Sequence, residues 1–124
     1  MNIGAILCYS LPFGLEVHSV NSIKNILMEI EKRPFLFFKE KDLRLLYCFI
    51  DGYMTCEYVN NQREAYMFFQ SFQKYFQGIY GLSTRGWCSI LRQESQSEEE
   101  AFDKFFELFN AFLKSQSENG AVTD

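Results

Sequence analysis

The stretch SEEEAFDKFFELFNAFLK, Ser97 to Lys114, decides the fold class. Ser97-Glu98-Glu99-Glu100 has the form of a capping box, a hydroxyl followed three residues later by a carboxylate. Beyond it Ala101, Phe102, Phe105, Phe106, Phe109, Phe112 and Leu113 recur at helical spacing, the strongest apolar stripe in the chain. The polar stretch 115–124 that follows is expected to fray. Working back toward the N-terminus, the same period recurs. Trp87, Ile90 and Leu91 suggest a shorter helix, although so few residues also fit a strand. Ala65, Phe68, Phe69, Phe72, Tyr75, Phe76 and Ile79 give another amphipathic helix, ending by Gly78 or Gly81. Asn61-Gln62-Arg63-Glu64 before it resembles a second capping box, with Asn61 as the cap.

Leu43, Leu46, Tyr47, Ile50 and Met54 form a further stripe, widened by Leu45, Cys48 and Phe49, which predicts a helix buried on more than one side. Gly52 inside it costs about 1 kcal/mol against Ala, so a kink or a closely packed neighbour is expected there. Ile23, Ile26, Leu27 and Ile30 define a first helix, capped by Asn21 or Ser22 and stopped at Arg33 by Pro34. The fold class is therefore mainly α. The chain reads as one domain over 1–124, an antiparallel bundle of about five helices. Residues 1–20, apolar from Ile3 to Leu15 but broken by Pro12 and Gly14, are expected to form an arm over the core or a short strand.

Composition narrows the function classes. The chain is 48% hydrophobic with 14 Phe and 7 Tyr, ample for a core. Its net charge of −4 argues against a direct nucleic-acid partner. The acidity is uneven: residues 94–124 hold eight acids and two bases. The N-terminal run has no basic leader and is too short to span a bilayer, so no membrane partner is expected. The four cysteines, Cys8, Cys48, Cys56 and Cys88, form no C-x-x-C, and His18 is the only histidine. Four clustered N/S ligands for zinc are therefore not expected. Cys48 and Cys56 lie about 12 Å apart along one helix, too far for a disulfide. Reduced thiols of this kind suit a cytoplasmic location.

No constellation for chemistry assembles in the sequence. His18 has no Ser or Cys at motif spacing, and no glycine-rich stretch is followed by Lys-Ser or Lys-Thr. Glu98, Glu99 and Glu100 are adjacent and point in different directions, which suits capping better than acid–base work. No catalytic residue, cofactor or metal is assigned. Arg85-Gly86-Trp87 fits a core or an interface.

The segment RPFLFFKEKDLRLLYCFIDGY, Arg33 to Tyr53, resembles the signature of a family of small bacterial immunity proteins of contact-dependent growth inhibition and related polymorphic toxin systems. That signature reads Arg-Pro-Gly-Met-Tyr-Leu-Gly, a polar spacer, then Leu-x-x-Leu-x-x-Phe-Leu-x-Gly-Tyr. Arg33-Pro34 match, Leu36 and Phe37 match in kind, and Leu43, Leu46, Phe49, Ile50, Gly52 and Tyr53 fall in register. Phe69 and Phe72, Gly86-Trp87 with Ile90-Leu91, and Glu99 to Leu108 are similar to later segments of the family. The likeness spans roughly residues 23–113. Phe35 and Lys39 stand where the signature has glycines, and residues 1–20 have no counterpart.

The resemblance implies an antidote that binds and neutralises a cognate toxin domain, expected to be a basic nuclease, an RNase before a DNase. An acidic surface would complement such a partner and speed encounter. The acidic residues expected to meet it are Glu94, Glu98, Glu99, Glu100, Asp103 and Glu107, with Phe102, Phe105, Phe109 and Phe112 facing the core. Two other readings fit the residues: a non-enzymatic helical adaptor or antitoxin-like regulator, and a carrier or enzyme for a small hydrophobic ligand. The last would need Tyr47, Tyr53, Tyr58 and His18 to converge on a cavity.

Overall fold

The computed structural model describes residues 22–81 and 85–123. Among them the chain is mainly helical and has no strand. The six helices there are α1 (Ser22–Lys32), α2 (Pro34–Phe37), α3 (Leu43–Val59), α4 (Glu64–Tyr80), α5 (Trp87–Gln93) and α6 (Glu98–Thr123). The expected N-terminal arm, His18 and Cys8 lie outside the described residues, as do residues 82–84. The helix α6 continues through the polar stretch 115–123 for which fraying is expected.

The helices α1, α4, α5 and α6 bury the apolar stripe their sequence presents. On α6, Ala101, Phe102, Phe105, Phe106, Phe109 and Phe112 are all buried. On α4, Ala65, Phe68, Phe69, Phe72 and Phe76 join them, while Ile79 stays exposed. Phe72 is the hub. Its ring meets Phe76 at 4.9 Å, Phe112 at 5.4 Å, Phe105 at 5.6 Å and Trp87 at 5.9 Å between centroids. Such tilted and edge-on pairs add about 0.5–1.5 kcal/mol each beyond area burial. Trp87 is thus core. Its backbone N–H donates to Gln73 Oε1 at 2.7 Å, and Gln73 Nε2 donates to the Arg85 carbonyl at 3.1 Å. Gln73 thereby fixes the entry to α5. Ile23, Leu27 and Ile30 close the core from α1, which is tied to α6 by Asn110 donating to Glu31 at 3.0 Å.

Three local expectations need correction. The helix α3 is buried along one stripe only, Leu43, Leu46, Ile50 and Glu57, while Leu45, Tyr47 and Cys48 are exposed. Gly52 is neither at a break in α3 nor under a close neighbour: a Cβ there would meet nothing within 4 Å.

Asn61 is not the cap of α4. It adopts φ 60 just past α3. Gln62 N–H donates to the Glu57 carbonyl at 2.8 Å and Asn61 N–H to the Tyr58 carbonyl at 3.1 Å. That is a Schellman ending, whose left-handed residue is usually Gly and sometimes Asn. The N-terminus of α4 is capped instead across the hairpin. Glu57 Oε1 accepts the Ala65 N–H at 2.8 Å. With only residues 60–63 between them, α3 and α4 pack antiparallel.

Candidate functional site

The acidic residues singled out by the sequence cluster where α6 starts, but they differ in state. The Ser97 half of the capping box forms, while the Glu100 carboxylate reaches one residue past the cap. Ser97 Oγ accepts the Glu100 N–H at 3.0 Å, and Glu100 Oε2 reaches back to the Gln96 N–H at 3.2 Å. Three of the six carboxylates are ion-paired within the fold. Asp103 meets Lys41 at 2.9 Å, Glu98 meets Arg92 at 2.9 Å, and Glu100 meets Lys104 at 3.5 Å. Lys104 also donates to the Glu94 carbonyl. Asp103 and Glu99 hold the Lys41 ammonium above its ordinary value, the hydrogen bond from Asp103 contributing most. The expected face exists: Glu99, Asp103 and Glu107 are exposed together, opposite the buried Phe102, Phe105, Phe109 and Phe112. Glu94, Glu99 and Glu107 carry no ion pair among the described residues.

Beside this cluster the Arg33–Tyr53 signature turns a corner. Pro34 opens α2 because its missing N–H would be unsatisfied there anyway, and the Phe38 N–H closes the single turn onto the Pro34 carbonyl at 2.9 Å. Phe38 turns inward, edge-on to Phe49 at 6.1 Å and to Phe102 at 6.4 Å. Phe35 and Leu36 point away, 68% and 74% exposed. Asp42 then caps α3. Its Oδ1 accepts the Arg44 N–H at 2.8 Å and its Oδ2 pairs with Arg44 Nη2 at 3.0 Å. The Arg44 hydrogen bonds hold the Asp42 carboxyl below its ordinary range. An open cleft of about 350 Å³ separates the corner from α6, lined by Phe35, Glu40, Lys41, Asp42, Glu98 and Glu99.

The sequence marked the carboxylates but not the Phe35–Leu36 tip. The one available signal was an apolar run directly after a helix-stopping Arg-Pro.

The tyrosines considered for a ligand cavity lie apart. Tyr47 rests on Trp87 at 5.7 Å, Tyr53 meets Phe49 at 6.5 Å, and Tyr58 lines an open cleft of about 730 Å³ by the α3–α4 turn. These tyrosines do not converge. Burial pushes the Cys88 thiol up to about 11, so it is protonated and unreactive at neutral pH. Among the described residues no His/Cys/Asp/Glu group is placed to hold a metal ion, and no helix is long and apolar enough to cross a membrane. No protein-family model, curated protein or solved structure matches the chain.

Proposed function

We propose that this chain is an immunity protein that binds and neutralises a cognate toxin domain. It acts by occlusion rather than turnover, in the cytoplasm of the cell it protects. The observation that carries this reading is the way the Arg33–Tyr53 signature divides. Its register positions Leu43, Leu46 and Ile50 are core, whereas Arg33, Phe35, Leu36, Phe37 and Lys39 at the corner before them are exposed. A packed scaffold that leaves one corner open to a partner suits an antidote. The unpaired acids Glu94, Glu99 and Glu107 favour a basic toxin, such as a nuclease acting on RNA.

The test is to look for a large secreted protein encoded beside this gene and to co-express its C-terminal domain with this chain. Protection of growth and a purified complex of defined stoichiometry are expected. Absence of any such neighbour, or a toxin domain that kills equally with and without this chain, would sink the reading.

A further inference from the structure

We propose that the groove between α3 and α4, at their hairpin end, is the docking site for the apolar residues 3–15 of this same chain. The inference goes beyond the antidote reading and does not rest on it. Trp87, the first residue of α5, bridges the two helices, its ring meeting Tyr47 of α3 at 5.7 Å and Phe69 of α4 at 5.6 Å. From Trp87 toward the turn the pair is open. A cleft of about 450 Å³ lined by Trp87, Phe69, Met54 and Tyr66 adjoins the one of about 730 Å³ lined by Met54, Tyr66, Tyr58 and Val59. Met54 and Tyr66 belong to both, so the two form one groove. Its far end leaves Tyr58 and Val59 71% and 74% exposed. The Tyr66 ring is held on its edge by the Arg63 guanidinium, 4.7 Å from the ring centre. A lone exposed apolar side chain is ordinary, but a continuous apolar groove marks a site that something covers.

Charge and reach select the occupant. Arg63 and Lys74 line the groove. Asp51 stands one turn before the lining Thr55, whose hydroxyl donates to the Asp51 carbonyl, and Glu64 follows Arg63. Glu57 turns inward onto the Ala65 N–H. Arg85 touches Gln73 through its carbonyl, but its side chain lines a different cleft with Glu98. The rim thus mixes two cations with two carboxylates, and neither an acidic nor a basic partner is favoured. Residues 1–15 fit such a rim: they include no Asp, Glu, Lys, Arg or His, and ten of the fifteen are apolar. They also start from the right place. The chain enters α1 at Ser22, and the Lys24 ammonium lies 5.8 Å from the centre of the Phe68 ring, two residues after Tyr66 on α4. The six residues 16–21 span up to about 20 Å, more than the width of a helix, roughly 10–12 Å. Residues 3–15 therefore reach past the edge of α4. The exposed Phe35–Leu36 tip is a poorer match. It lies beyond the other end of the 11-residue α1, among the exposed charges of Arg33, Lys39 and Glu40. Tethering gives the run an effective concentration of about millimolar, so it outcompetes a free partner of equal affinity.

The experiment measures through-space proton contacts by nuclear magnetic resonance on the isotope-labelled full chain. The methyls of Ile3, Ile6, Leu7 and Leu11 should contact the rings of Tyr58 and Tyr66 and the Met54 methyl. Y58S/V59S should shift the amides of residues 3–15 and lower their protection from hydrogen exchange about tenfold. I6S/L7S/L11S should in turn shift the amides of residues 54–66. Tyr58 and Val59 are exposed, so Y58S/V59S should fold even where I6S/L7S/L11S does not, and it then decides the question alone. The proposal is overturned if residues 3–15 make no contact with the groove, or if their contacts map to Phe35 and Leu36 or elsewhere. It is equally overturned if Y58S/V59S leaves residues 3–15 unmoved. Mixing labelled with unlabelled chain tests the remaining occupant: contacts that arise only between copies would assign the groove to a second copy and overturn the proposal too. None of these readouts involves a toxin domain, so failure here leaves the antidote reading standing, and failure of that reading leaves this one.

Discussion

Replacing Glu57 separates two roles of one carboxylate. Glu57 is only 8% exposed and lies in the last turns of α3. Its Oε1 accepts the Ala65 N–H at 2.8 Å, while Arg63, the residue before α4, contributes no side-chain cap. In Glu57→Ala the N–H of Ala65 loses its partner at a buried position. Leaving such a donor unsatisfied costs about 1–3 kcal/mol. In Glu57→Gln the acceptor oxygen is kept and the charge is removed. Burial raises the Glu57 carboxyl above its ordinary value, against the smaller opposing effect of the Ala65 hydrogen bond. The folded state therefore prefers the protonated acid. Its stabilising effect is full below the unfolded value near 4.5 and is lost as pH rises through the higher folded value. At neutral pH the Gln variant should match or exceed the wild type. The Ala variant should be weaker, a loss of about 2 kcal/mol moving the urea midpoint by about 1 M. Urea melts of all three proteins from pH 4 to 8 (roughly the span over which a raised carboxyl titrates) are the assay. The reasoning fails if Ala is as stable as Gln, or if the wild type gains on Gln as pH rises.

Three further outcomes are expected. Asn61→Gly should leave stability unchanged or raise it slightly, whereas Asn61→Val should cost about 1–2 kcal/mol in thermal melts, because φ 60 suits Gly and not a β-branched residue. Gly52→Ala should stabilise by about 1 kcal/mol, since a Cβ there meets open space inside a continuous helix, and a loss on calorimetry would contradict the packing. Asp42→Ala should cost about 0.5–2 kcal/mol through the lost cap, and Asp42→Asn less. Because the folded Asp42 carboxyl sits below 3.8, its contribution is present above that value and lost as pH falls through the folded one, so the gap between wild type and Asp42→Asn should close in acid.

The long amphipathic helices were legible because three or more turns give the 3.6 period room to repeat. Every aromatic expected inward on α6 is buried, including Phe102, Phe105, Phe109 and Phe112. The period overreached on α3, where Leu45, Tyr47 and Cys48 are apolar yet exposed: composition widens a stripe, but neighbouring helices cover only one side of this one. Glu57 shows the reverse. It shares the stripe of Leu43, Leu46 and Ile50 by spacing, and its charge hid that it is buried. The helix α2, with four residues, is too short for any period to register. The Asn61 misreading has the same origin as the Glu57 one. A cap can come from a side chain distant in sequence, and a left-handed Asn beside the right spacer mimics a capping box. Of the candidate site, the exposed row Glu99, Asp103 and Glu107 was readable from spacing alone. Its pairing was not, because Lys41 reaches Asp103 across the fold.

That pairing changes what the acidic edge does. A carboxylate bound to a cation presents a dipole, whose field falls off faster than that of a net charge. At physiological salt, where screening acts over about 8 Å, little of such a dipole reaches an approaching partner. Asp103, Glu98 and Glu100 are therefore chiefly braces: they link α6 to the α2–α3 connection, to α5, and to its own next turn. Exposed braces of this kind are each worth about 0–1 kcal/mol. On the proposed function, steering falls to Glu94, Glu99 and Glu107, which carry no ion pair among the described residues. Exposed charges of this kind act on encounter more than on the lifetime of a complex. Replacing Glu94, Glu99 and Glu107 together with Lys should therefore slow association with a basic toxin domain and flatten its salt dependence, while dissociation stays nearly unchanged. An equal effect on both rates would mean that the acidic edge is buried in the complex and does not merely steer it.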